Sequence, residues 1–114
     1  MTANCIFCQI VCKQIPAKVV YEDEDVMAFH DVNPEAAVHI LVVPKKHVKN
    51  VVELADDEKL LAKVVRIAGQ IAKKTAGGEF KLLFNTGESA GQSVFHAHGH
   101  ILSNKTNDGE VNAI

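Results

Sequence analysis

The sequence lacks the long apolar segments and the excess of basic residues that would indicate several common protein classes. No apolar run approaches the roughly 20 residues needed to cross a bilayer, and the first residues carry neither a basic nor a long apolar segment. We therefore expect no membrane span and no secretory signal. The 12 Lys and Arg residues are outnumbered by 14 Asp and Glu residues, which gives a formal net charge of −2. This balance argues against a broad surface for nucleic acid.

Cysteine is also scarce, and its odd count of three does not suit a disulfide framework. An odd cysteine number favours a reducing compartment, so we expect a cytoplasmic protein that could also occur in the nucleus. The 114 residues suffice for one hydrophobic core. We expect a single domain over residues 1–114, with its core at 5–102 and a polar tail at 103–114.

Hydrophobic periodicity predicts an α+β fold in which one long and one short helix accompany an antiparallel sheet of about five strands. Apolar residues recur at helical spacing between Asp56 and Ala76. An aspartate can cap the start of this helix, and Gly77-Gly78 can end it in a left-handed conformation. The short helix is expected within residues 4–14. Strands are expected at residues 18–21, 26–29, 39–43, 80–85 and 93–102.

The densest chemical pattern is the run in which His96, His98 and His100 alternate with Ala97 and Gly99. If this run is a strand, the three imidazoles share one face and lie roughly 7 Å apart. The residues alone leave three interpretations open. The histidines could decorate the surface, they could chelate a metal ion, or one of them could attack phosphorus as a neutral imidazole.

Residues 96–102 resemble the His-φ-His-φ-His-φ-φ signature of the histidine triad (HIT) family, although Gly99 occupies a position that is usually apolar and bulky. Three further segments resemble family motifs in the expected order, at residues 29–31, 39–47 and 91–94. The likeness covers nearly the whole chain. It is greatest to the branch of histidine-triad nucleotide-binding proteins that act as purine nucleoside phosphoramidases.

This resemblance implies a homodimeric hydrolase that cleaves the P–N bond of purine nucleoside 5′-phosphoramidates without a catalytic cofactor. His98 would attack the α-phosphorus and form a nucleotidyl-histidine intermediate, which water would convert to the nucleoside monophosphate. The carbonyl of His96 would hold the Nδ1 proton of His98. His100 would hydrogen-bond a phosphate oxygen, and His39 would sit beside the nucleophile and tune it. The implied catalytic set is His98, His100, His39, Ser93 and Asn85.

The resemblance also implies the residues that bind the nucleotide. Ile10, Phe29 and Val32 would line the base pocket, and Asp31 would accept hydrogen bonds from the ribose hydroxyls. Taken alone, the three apolar residues would be assigned to the core, and Asp31 would be a turn residue. Ser93 would assist the leaving nitrogen. The phosphate end of the implied site is formed by Asn85, Gly91, Gln92, Ser93, His98 and His100.

A second constellation is the Cys5-x-x-Cys8 pair near the start of the chain. A redox pair and two small buried hydrophobic residues are both compatible with this spacing, although the strand–helix context of a thioredoxin-like motif is missing. The resemblance implies structural zinc instead, bound by Cys5, Cys8, His47 and His96. Two thiolates and two imidazoles suit tetrahedral Zn²⁺.

Three other functions remain open. The chain could hydrolyse dinucleoside polyphosphates, or it could be a low-activity nucleotide-binding or zinc-stabilised interaction protein. It could also be a metalloenzyme with His96, His98 and His100 as ligands. No nucleic acid or membrane partner is expected. Gly99 is expected to loosen the local packing, and the Gly-x-Ser-x-Gly run at residues 87–91 is expected to form a loop rather than a hydrolase elbow.

Overall fold

The computed structural model describes residues 4–105 and contains a five-stranded antiparallel sheet with helices on both faces. The strand order is β1-β2-β3-β5-β4. The predicted α+β class is confirmed, and the part of the predicted tail beyond residue 105 lies outside the described residues. The elements are α1 (Ile6–Val11), β1 (Val19–Glu22), β2 (Val26–His30), β3 (Val38–Pro44), α2 (Val51–Leu54), α3 (Glu58–Ala76), β4 (Lys81–Leu83), a 3₁₀ turn (Glu88–Ala90) and β5 (Gly99–Ser103).

The long helix α3 begins and ends within two residues of its predicted bounds. The Asp57 side chain accepts a hydrogen bond from the Leu60 N–H at the first turn, and Gly77 ends the helix with a φ of 63°. The short helix α2 was not predicted, because four residues are too few to show a helical period. No helix within residues 4–105 is both long and apolar enough to span a membrane.

Alternate residues of the central strand β3 contribute to two separate hydrophobic clusters, because strand side chains point in turn to the two faces. Ile40 and Val42 pack with the buried side of α3. Leu41 and Val43 pack instead with Phe7 of α1. His39 shares the α1 face by the same alternation, so this face of the sheet carries the chemically interesting side chains.

The predicted strand at residues 93–102 is wrong in its first half, because β5 begins only at Gly99. The residues before Gly99 have other partners than β3. The Ala97 N–H donates to the Val48 carbonyl, and a nitrogen of the His96 ring contacts the Pro44 carbonyl. The three histidines therefore do not form one flat stripe. Phe95, which precedes these histidines, is 42% exposed.

The packing around Gly99 is tight, which corrects the expectation of a loose strand. A Cβ atom added at Gly99 would lie 2.9 Å from Leu82 Cδ1 and 2.9 Å from Phe84 Cζ. These two side chains, from β4 and the residues that follow it, fill the space that a bulky residue at position 99 would need.

Candidate active site and metal centre

Two cysteines from the start of α1 and two histidines from distant loops converge at one point. Nδ1 of His96 lies 3.4 Å from Cys5 Sγ and 3.5 Å from Cys8 Sγ, and Nδ1 of His47 lies 3.2 Å from Cys8 Sγ. All four ligand atoms lie within 4.8 Å of one another. Neighbouring ligand atoms around tetrahedral Zn²⁺ are separated by about 3.5 Å, given Zn–S and Zn–N bonds of about 2.3 and 2.0 Å. The geometry therefore fits the predicted zinc ligands.

The protonation of His96 also fits a metal ligand. Its Nε2 lies 2.7 Å from the Pro44 carbonyl, which can only accept, so Nε2 carries the hydrogen and Nδ1 presents a lone pair to the cysteines. Burial lowers the pKa of His96 to about 4, which keeps the ring neutral at physiological pH. Burial raises the pKa of the Cys5 thiol, so a metal ion bound here would have to displace a proton.

His98 lies just before β5 and is 8% exposed. Its Nδ1 lies 2.8 Å from the His96 carbonyl, so Nδ1 carries the ring hydrogen and Nε2 is left with a free lone pair. The ring packs edge-on against Phe7, with 4.9 Å between centroids. Burial lowers the pKa of His98. A neutral imidazole with an unprotonated Nε2 can act as a nucleophile or as a general base.

His100, the second residue of β5, lies between two other histidines. Its ring centroid is 5.0 Å from that of His98, and its Nδ1 is 2.9 Å from Nε2 of His39 on β3. Asp31 Oδ2 lies 3.3 Å from the same His39 nitrogen. His39 thus makes its hydrogen bond to His100, the histidine expected to bind phosphate, whereas the sequence suggested that it would tune His98.

A cavity of about 900 Å³ opens beside this group of histidines. Ile10, Phe29, Asp31 and Val32, the four residues expected to bind the nucleoside, all line it. Val32 is 89% exposed, which leaves its side chain available to a ligand at the rim of the cavity. The cavity adjoins the histidines at Asp31, which contacts His39.

The loop before the histidines is held by Gln92, whose side chain is 3% exposed. Its amide accepts from the Gly87 N–H and donates to the carbonyls of Lys49 and Val94. These three bonds use the amide within the protein, so a nucleotide contact from Gln92 would have to come from its backbone. The next element after the short 3₁₀ turn in this loop is strand β5, as expected for a loop rather than a hydrolase elbow, in which a helix follows.

The other residues expected at the phosphate end lie in the same loop. Asn85 donates from its amide to the Ala90 carbonyl at 2.7 Å and so closes the loop. Gly91 has a φ of 93°, and a Cβ there would lie 2.9 Å from the Asn85 amide nitrogen. Ser93 is exposed. Glycine is required at position 91 for both its backbone conformation and the close approach of Asn85.

Several residues of the site were not predicted from the sequence. Ile6 lines the cavity together with Ile10, and its position one helical turn earlier could have revealed it. Lys18 and His30 also line the cavity, without a sequence signal. Among residues 4–105, Nδ1 of His30 is buried without a hydrogen-bond partner. The backbone N–H of Glu35, which contacts His39 Nδ1 at 2.9 Å, could not have been predicted because it is not a side-chain feature.

The fold and the site define a class of protein in which histidines oriented by backbone groups lie beside an apolar cavity on one face of an antiparallel sheet. The sequence model of the HIT domain family matches residues 12–107, and the chain belongs to this family. The resemblance seen in the histidine motif is thereby confirmed.

Proteins that are similar in sequence or in structure match this chain over most of its length. An uncharacterised HIT-like protein of Methanocaldococcus jannaschii is 47% identical over 108 residues, which are 94% of this chain and 84% of that protein. A HIT family hydrolase from Clostridium thermocellum is similar in structure, with a TM-score of 0.85, 37% identity and coverage of 96% of each chain. A hypothetical histidine triad nucleotide-binding protein from Sulfolobus tokodaii has a TM-score of 0.76 and 38% identity over 93% of this chain and 71% of that one.

Proposed function

We propose that this protein is a nucleotide-binding hydrolase that cleaves the P–N bond of purine nucleoside 5′-phosphoramidates through His98. The hydrogen bond from His98 Nδ1 to the His96 carbonyl carries the proposal, because it leaves Nε2 of His98 unprotonated. A nucleoside-sized cavity reaches the same group of histidines at Asp31, which lines the cavity and contacts His39. Similarity to a HIT family hydrolase and to a histidine triad nucleotide-binding protein supports the reaction class and the ligand class.

The cavity supports the binding part of the proposal. Its volume of about 900 Å³ lies within the range of about 300–1,000 Å³ typical of small-molecule sites. A purine would be held between the apolar side chains of Ile10, Phe29 and Val32. The Asp31 carboxylate would accept hydrogen bonds from the ribose hydroxyls. Because Asp31 also contacts His39, a nucleotide held in this way would have its 5′-phosphate near the histidines.

The proposed reaction has two displacement steps. Nε2 of His98 forms a bond to the α-phosphorus while the P–N bond breaks, and the leaving nitrogen takes a proton from solvent with the help of the Ser93 hydroxyl. The resulting nucleotidyl-imidazole keeps its Nδ1 hydrogen on the His96 carbonyl, which stabilises the positive charge on the ring. Water then attacks phosphorus, the N–P bond of His98 breaks, and the nucleoside monophosphate leaves. The water that attacks in the second step returns one proton to solvent. His100 donates to a phosphate oxygen in both steps, and Asn85 contacts the phosphate or leaving-group side.

The four metal-ligating residues have a separate, structural role in this proposal. Cys5, Cys8, His47 and His96 would hold a zinc ion that joins the start of α1 to the two loops. A zinc ion held by these residues would supply a structural cross-link, and the proposed reaction has no step at the metal. The expected homodimer remains a prediction, and sedimentation equilibrium would test it.

Rapid-quench intact-mass analysis with adenosine 5′-phosphoramidate tests the nucleophile. We expect the wild-type protein to show a transient AMP-sized adduct and to release AMP, whereas His98→Ala should do neither and still bind AMP. Phe95→Ala is a suitable control, because it truncates an exposed side chain of the same segment and should behave as wild type. AMP release by His98→Ala at the wild-type rate would overturn the assignment.

The alternative functions give different results in the same samples. If the phosphoramidate is stable but a dinucleoside polyphosphate is cleaved, the protein is a polyphosphate hydrolase. If AMP binds but neither compound is cleaved, it is a nucleotide-binding protein with little turnover. Abolition of a measured activity by chelation, with the fold intact, would indicate a metalloenzyme.

A further inference from the structure

Both ring nitrogens of His39 have partners, and one of these partners fixes where the ring hydrogen lies. His39 is 1% exposed, and its Nδ1 lies 2.9 Å from the backbone nitrogen of Glu35. A peptide N–H can only donate, so Nδ1 of His39 must accept and cannot carry a hydrogen. The neutral ring therefore carries its hydrogen on Nε2.

The hydrogen on His39 Nε2 then fixes the state of His100. Its two acceptors are His100 Nδ1 at 2.9 Å and Asp31 Oδ2 at 3.3 Å, and the shorter contact is to His100. Nδ1 of His100 must accept, so the ring hydrogen of His100 lies on Nε2. A doubly protonated His100 would place two N–H groups against each other at 2.9 Å, so this geometry requires the neutral ring.

We propose that His39 is a positioning residue, which together with the Glu35 backbone N–H holds His100 as the tautomer that carries its hydrogen on Nε2. The neighbouring His98 is held in the opposite tautomer by the His96 carbonyl. Two adjacent imidazoles thus present different groups: His98 offers a lone pair for attack, and His100 offers an N–H donor to a phosphate oxygen. The use of that donor rests on the proposed function, whereas the tautomers themselves do not.

The hydrogen bond from the Glu35 N–H to His39 Nδ1 also argues against a cation site at these residues. Ligand atoms of Asp31, His39 and His100 lie within 4.8 Å of one another and could hold a cation by distance alone. Coordination through Nε2 of His39 would move its hydrogen to Nδ1, which would then face the Glu35 N–H at 2.9 Å. Two donors would oppose each other in a buried site, which is costly. The cluster is therefore arranged to position hydrogens.

Long-range ¹H–¹⁵N NMR of the histidine rings measures the tautomers directly, in the intact metal-loaded protein without substrate. We expect Nε2–H for His39 and His100, and Nδ1–H for His98. His39→Gln should keep His100 in the Nε2–H form, because the glutamine amide can still donate to its Nδ1. His39→Leu has no donor, so His100 should become a mixture of tautomers. His100 as Nδ1–H in the wild type, or unchanged in His39→Leu, would overturn the proposal.

A matched pair at position 35 tests the backbone contribution without touching either ring. The Glu35 side chain is exposed, so Glu35→Ala keeps the N–H and should leave all tautomers unchanged. Glu35→Pro removes the N–H and should release the preference of His39 for Nε2–H. If His39→Leu does not fold, the wild-type spectrum and this pair still decide the question. A fixed tautomer in Glu35→Pro would contradict the assigned role of the backbone.

Kinetics distinguish this proposal from the proposed hydrolase activity. We expect kcat to fall about 10- to 100-fold in His39→Leu but far less in His39→Gln, because one hydrogen bond to a charged phosphate is lost. KM for the nucleotide should change little. If NMR shows the expected tautomers but the protein hydrolyses no substrate, the proposed hydrolase activity is refuted and the positioning role of His39 is not. If the wild-type protein hydrolyses the substrate but His100 carries its hydrogen on Nδ1, the positioning role of His39 is refuted and the hydrolase activity is not.

Discussion

Substitution of Gly99 by alanine tests two physical effects, strand propensity and packing, that change the free energy of unfolding in opposite directions. Glycine inside a strand is less stable than alanine by about 0.5–1 kcal/mol, so strand propensity alone predicts that Gly99→Ala stabilises the protein. The structure predicts the reverse. The new Cβ would meet Leu82 Cδ1 and Phe84 Cζ at 2.9 Å and Phe84 Cε2 at 3.1 Å, all closer than ordinary carbon contacts.

Overpacking of this kind typically costs about 1–3 kcal/mol. After subtraction of the propensity gain of about 0.5–1 kcal/mol, we expect Gly99→Ala to lower the free energy of unfolding by up to about 2.5 kcal/mol. The central value of about 1.3 kcal/mol corresponds to a fall in Tm of roughly 5–10 °C. Gly69 in α3 provides the control, because nothing lies within 4 Å of a Cβ there. Gly69→Ala should therefore stabilise the protein by about 1 kcal/mol.

Double-mutant cycles identify the cause. Leu82→Val and Phe84→Leu each remove atoms that the new Cβ would touch, so either change should reduce the cost of Gly99→Ala by about 0.5–1 kcal/mol in chemical denaturation. Because Gly99 lies between His98 and His100, a shift of β5 should also lower hydrolysis. Stabilisation by Gly99→Ala, or cycles without coupling, would refute the packing argument.

Two further predictions concern the loop and the metal centre. Gln92→Leu leaves three backbone groups without their partners, so it should lower the free energy of unfolding by about 2–5 kcal/mol and reduce hydrolysis; unchanged urea unfolding would contradict the role given to this amide. If the Cys/His cluster holds zinc as proposed, a chelator should lower Tm and added Zn²⁺ should restore it. A Cys8→Ser protein should respond less to the chelator, and an equal response would argue against the Cys/His site.

The sequence predicted features that depend on local chemistry or on conserved spacing within a family motif. The bounds of α3 followed from the Asp57 cap and the left-handed Gly77, which are local. The convergence of Cys5 and Cys8 with two distant histidines is a long-range arrangement, and it was accessible only through the family resemblance. Periodicity alone would have assigned these residues to a short helix and two loops.

The start of β5 could not be predicted because it depends on competition between long-range partners. The run 93–102 alternates as a strand should, but its first half is drawn away from β3 by the Val48 carbonyl and the contact between His96 and the Pro44 carbonyl. Alternation is a property of the sequence alone, whereas pairing needs a partner strand with free N–H and C=O groups. The predicted start of this strand was wrong for this reason, although His96 and His98 both contact Phe7 of α1 and His98 lies beside His100.

Backbone groups fix the ring hydrogens of His96, His98 and His39, and the His39 side chain passes this constraint on to His100. Of these contacts, the family resemblance implied only the one between His98 and the His96 carbonyl. A carbonyl holds a ring hydrogen of His96, another holds that of His98, and a peptide N–H orients His39. His96 precedes the residues of β5 that pair with β3. Its side chain can therefore face the cysteines while its carbonyl faces His98. His96 thus joins the Cys/His cluster to the proposed nucleophile, so removal of a metal bound there should disturb the proposed hydrolysis only as far as it moves that carbonyl.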